Sequence, residues 1–89
     1  MSEKEKKKAV ALRYDPEIDR APVVVAKGKG EIAEEIIRIA KENRIPVVEN
    51  EVLVEALIGL DLYEEIPPEL YEAVAEILVY VLRKLDKNF

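Results

Sequence analysis

The sequence predicts a single small α/β domain of order β-β-α-β-α-α, with a small mixed sheet packed by helices. Three observations carry this. Apolar β-branched runs at Val23–Ala26 and Ile45–Val48 flank an amphipathic stretch with helical periodicity, the pattern of a strand–helix–strand unit. A parallel pair needs a crossover of about a dozen residues or more, and the interval supplies it. The chain has 89 residues, enough for one modest core.

Residues 1–8 are nearly all charged and read as a disordered tail, leaving a folded domain over 9–86. Ala9–Tyr14 reads as the first strand. Asp15-Pro16 breaks it, because Pro fixes φ and the Asp side chain bonds its own backbone. The second strand begins near Pro22, where a proline does least harm to a ladder. In the first helix Ile32, Ile36, Ile39 and Ala40 form one stripe, with Ala33 and Ile37 beside it. Glu31, Glu34 and Glu35 lie at its positive end, and Lys41 and Arg44 at its negative end. Asn50 is a fitting N-cap for a short second helix carrying Leu53 and Leu57. Asp61–Ile66 reads as a loop. Pro67-Pro68 opens the last helix. Its stripe of Leu70, Val74, Ile77, Leu78, Val81, Leu82 and Leu85 is widened by Tyr71, Ala75, Val79 and Tyr80. A face that wide is either buried on more than one side or left for a partner.

Composition excludes several classes of function. The chain has no His, Cys, Thr, Gln or Trp, and its one Ser is Ser2. Acyl transfer through a nucleophile and a His base has no residues to use. A zinc site lacks its usual ligands. We therefore expect no enzyme, no metal and no cofactor. Without an apolar run near the length of a membrane span, the chain is expected not to be integral to a membrane. Without an h-region after the basic start, it is expected to carry no secretory signal and to be cytoplasmic. Residues 45–82 hold 9 acidic side chains and no basic one, which argues against nucleic acid as a partner.

One motif points elsewhere. Gly28-Lys29-Gly30-Glu31-Ile32-Ala33 has the form G-x-G-x-x-A, and Glu49 follows Gly28 by 21 residues. This is the dinucleotide fingerprint. The alternative function is therefore a small nucleotide- or anion-binding protein using Gly28, Gly30 and Glu49. Against it, the 40 residues after Glu49 read mainly as helix and supply no second half-sheet. Glu31, Glu34 and Glu35 also crowd the phosphate position. The competing reading is a tight turn that needs glycine.

The phrases AVALRYDP (9–16), APVVVAKGKGEIAEEI (21–36), IPVVEN (45–50) and EIPPELYEAVAEIL (65–78) stand in order along the chain. In these the sequence resembles the cytoplasmic domain of the FlhB family, flagellar type III export proteins that switch substrate specificity, shared with injectisomes. In that family an Asn-Pro-Thr-His motif before the first matching strand cleaves itself between Asn and Pro. Lys4, Glu5, Lys6 and Lys7 stand there here, so there is no Asn to cyclise and self-cleavage is not expected.

The resemblance implies a stand-alone version of the post-cleavage fragment, a non-enzymatic component or regulator of flagellar protein export. It implies partners among the export apparatus or its substrates, at the cytoplasmic face of the membrane-bound export gate. It implies a substrate-binding patch that maps onto Ala21, Pro22, Ala75 and Leu78. The family's sheet has four strands and this chain codes for three. A missing strand beside Ala9–Tyr14 would leave an open edge, able to take a strand from the membrane-bound half of a full-length FlhB.

Overall fold

The computed structural model describes residues 7–86. Two strands, β1 (Lys8–Arg13) and β2 (Val23–Lys29), form an antiparallel pair. Three helices follow: α1 (Glu31–Glu42), α2 (Glu51–Ile58) and α3 (Tyr71–Asp86), the last preceded by a 3₁₀ turn at Pro68–Leu70. Pairing runs from Lys8 opposite Lys29 to Arg13 opposite Val23, with a bulge where Ala11 faces Ala26 and Leu12 faces Val24. Val25 is the extra residue, and such an insertion increases the local twist.

Alternation along β1 sends Val10 and Leu12 to one face and Ala9 and Ala11 to the other. Val10 and Leu12 meet the main core: Ala21, Leu53, Leu57, Ile66 and Val74, with Leu70, Ala73, Ile77 and Leu78 around it. This cluster ties α2 and α3 to one face of the sheet. Helix α1 packs on both strands, and Ala33, its fully buried residue, stands outside that cluster. It therefore covers the opposite face. Ile66, Val24 and Val74 are the largest fully buried side chains, each worth about 1.5–3 kcal/mol of apolar transfer.

The α/β class and the single small domain stand, but the expected third strand does not pair. Residues 45–50 carry no ladder, so the sheet is antiparallel rather than mixed and the order is β-β-α-α-α. A β-branched run becomes a strand only where a neighbour offers its edge. The far side of β2 has instead gained a partner in the acidic stretch that reads as a loop. Val24 N–H donates to Glu64 O at 3.0 Å, Tyr63 N–H to Val24 O at 2.6 Å, and Ile66 N–H to Pro22 O at 2.9 Å. An isolated antiparallel bridge joins Val23 and Glu65.

Helix α1 ends in a Schellman motif. Ile45 N–H donates to Ala40 O and Arg44 N–H to Lys41 O, with Arg44 at φ 58° in the place glycine usually takes. Asn50 caps α2 as its position predicts, its side chain accepting from Leu53 N–H at 3.0 Å. The tail expected over 1–8 lies mostly outside the described residues, while Lys8 already belongs to β1. Its ammonium pairs with Glu55 of α2 and holds that carboxyl below its ordinary pKa.

Candidate functional site

The residues of the G-x-G-x-x-A turn are occupied by the fold. A Cβ on Gly28 would lie 2.1 Å from Ile32 Cγ2, so Gly28 permits close strand–helix packing. Gly30 has φ 61° and ψ −125°, a region almost closed to other residues. Its N–H donates to Lys7 O at 2.8 Å and its carbonyl accepts from Glu34 N–H. Lys27 Nζ donates to Ile58 O at 3.1 Å and Leu60 O at 2.6 Å, supplying two carbonyls at the C-terminal end of α2. These groups serve the fold, and Glu49 stands exposed on the unpaired stretch after α1. Among the described residues no group of three His, Cys, Asp or Glu could hold a metal.

Of the four patch residues, Ala21 is 4 % exposed and belongs to the main core. A polar side chain at 21 would therefore enter the core, because the Ala21 Cβ has no solvent to turn to. Pro22 is half-buried, its carbonyl committed to Ile66. Leu78 is half-buried against the same cluster, and Ala75 is exposed on the outer face of α3. The structure thus brings Ala21 and Leu78 together in one packed unit, and leaves Ala75 as the member facing solvent.

A second surface lies at the free edge of β1. Helices α1 and α2 cover opposite faces of the sheet, so the chain between them must pass one edge. Residues 63–66 occupy the edge of β2, and α2 packs mainly on β1. The crossing stretch therefore runs on the β1 side. Neither β1's outer edge nor residues 45–50 has a strand partner among the described residues. Apolar side chains of this stretch and of α1 are exposed: Ile45 at 56 % and Val47 at 45 %, with Ile39 and Ile32 at 45 % and 61 %. The apolar stripe of α1 is thus only partly covered, with Ala33 wholly inside. Nothing in the sequence pattern distinguished these isoleucines from core residues.

An antiparallel pair packed by helices defines a small α/β domain. Residues 6–81 match the model of the FlhB HrpN YscU SpaS family, and the chain belongs to that family. It is 52 % identical over 82 residues to the flagellar biosynthetic protein FlhB of Aquifex aeolicus, covering 91 % of this chain and 23 % of that protein. It is 46 % identical over 82 residues to YlqH of Bacillus subtilis, covering 92 % of this chain and 87 % of that one. The crystal structure of the cytoplasmic domain of FlhB from Shewanella putrefaciens superposes with a TM-score of 0.81 at 38 % identity, over 84 % of this chain and 61 % of that domain. The chain is therefore similar to components of flagellar and type III export systems. The nucleotide-binding alternative gains no support from these relatives. Among the described residues no helix is long and apolar enough to cross a membrane.

Proposed function

We propose that this chain is a non-enzymatic component or regulator of flagellar type III export, working in the cytoplasm at the export gate and binding partners through its open sheet edge. The observation that carries this reading is that neither the outer edge of β1 nor Ile45–Val48 has a strand partner among the described residues. Ile32, Ile39, Ile45 and Val47 are exposed as well. An added strand would satisfy backbone groups on both sides and cover those side chains. The fitting occupant is the strand that precedes the Asn-Pro-Thr-His motif in the membrane-bound half of a full-length FlhB. Export substrates are the second class of partner, meeting Pro22, Ala75 and Leu78 beside the core that Ala21 helps to build.

Titrating a peptide of that strand into isotope-labelled protein tests the reading. The amides of Lys8–Arg13, Val47 and Val48 are expected to shift together, with new protection from hydrogen exchange. No shift at millimolar peptide would overturn it.

A further inference from the structure

Helix α3 (Tyr71–Asp86) has a second face that the fold does not use. Its inner side is fixed by Val74, with Ala73, Ile77 and Leu78 turned to the core. Helical spacing puts Tyr71, Ala75, Val79 and Leu82 on the other side, and all four are exposed. This is a continuous apolar strip about three turns long, the shape of a seam for another helix.

Its charges say which helix. Glu72, Glu76 and Arg83 flank the strip on one side, and none of them makes an ion pair among the described residues. The acids lie toward the N-terminal end and the arginine toward the C-terminal end. When two identical helices pair antiparallel about a two-fold axis, each flank meets the same flank of its mate, reversed. With the crossing near Ile77, Glu72 of each copy faces Arg83 of the other, and Glu76 lies one turn further in. Ala75 then sits opposite Val79, small against large, and Tyr71 opposite Leu82. A parallel two-fold pair would set this flank against the opposite flank of its mate, so Glu72 would not meet Arg83.

We infer that a second copy of this chain covers the outer face of α3 as an antiparallel, two-fold pair. This stands apart from strand addition at β1 and needs no export partner. It also hides Ala75, so dimerisation and substrate docking on this face exclude each other. One helix face buries less than the ~1,200 Å² of stable interfaces, so the dissociation constant is expected in the range of about 10–100 μM.

Sedimentation equilibrium of the full chain from about 5 μM to 1 mM brackets that range. A monomer–dimer equilibrium is expected, at least tenfold weaker in Val79→Asp, with circular dichroism confirming that the variant is folded. Glu72→Arg and Arg83→Glu should each weaken self-association. Mixing the two should restore it. One copy then carries arginine at both positions and the other carries glutamate at both, so opposite charges meet at each end of the crossing. A monomer at the highest concentration would overturn the inference and leave the face to a different partner. A dimer indifferent to Val79→Asp, or a mixture no tighter than either variant alone, would overturn it equally.

Discussion

Gly28 and Ile32 approach so closely that a methyl group on the glycine would meet Ile32 Cγ2 at 2.1 Å and its Cβ at 2.7 Å. The second of these atoms is anchored to the helix backbone, so no rotamer change removes the clash. Strand and helix must move apart. Gly28→Ala is therefore expected to destabilise the protein by about 1–3 kcal/mol, the usual range for overpacking. Thermal unfolding with a nucleotide titration alongside checks both sides of the argument. The midpoint should fall in the variant, and nucleotide should move neither protein's midpoint. A fully stable Gly28→Ala would mean that this contact does not set the strand–helix distance.

Asp19 anchors the turn between the strands. Its carboxylate accepts from Arg13 Nε at 3.1 Å and Nη2 at 2.8 Å, and from Asp15 N–H at 2.9 Å. The Arg13 hydrogen bonds, then that of Asp15, hold the carboxyl below its ordinary value of 3.8. The folded state therefore takes up the proton less readily than the unfolded chain. Stability from this group is full above the ordinary value and is lost as pH falls through it toward the lowered one. Asp19→Asn should unfold at a lower temperature than the parent at pH 7. The two midpoints should converge as pH falls below the ordinary carboxylate range. Parallel curves over the whole range would remove Asp19 from the acid response.

Much of this architecture was legible because it is local. The Glu31–Glu42 stripe, the Asn50 cap and the Pro67-Pro68 start each specify their element within a few residues, and each stands where its pattern puts it. Pairing is not local. Ile45–Val48 has strand composition and no strand beside it, while Glu64–Ile66 has loop composition and bonds to β2. The one sequence signal for the latter was Ile66, an apolar residue between two glutamates and a proline, and it is 2 % exposed. The Arg13–Asp19 pair was equally hidden, since a turn pattern does not say which charge folds back on it. In the patch, Ala21 is small because the core is tight around it, and small residues suit surfaces and close packing alike.

Ala21 and Ala75 therefore provide a paired test of fold against surface. An aspartate at 21 would bury a carboxylate among Leu53, Leu57, Ile66 and Val74 with no cation in that cluster. Such a group costs several kcal/mol or takes up a proton instead. Ala21→Asp is expected to be largely unfolded at neutral pH, seen as lost near-ultraviolet dichroism and early urea unfolding. An aspartate at 75 points into water on a helix already carrying Glu72 and Glu76. Ala75→Asp should stay within about 0.5–1 kcal/mol of the parent, the scale of a like-charge neighbour plus a weaker helix former. Its effect should appear instead as weakened binding of export substrates, read by pull-down or calorimetry with the folded variant. If Ala75→Asp bound substrate as the parent does, the outer face of α3 would not be the docking surface. A stable Ala21→Asp would mean that the core opens at this corner more readily than its packing suggests.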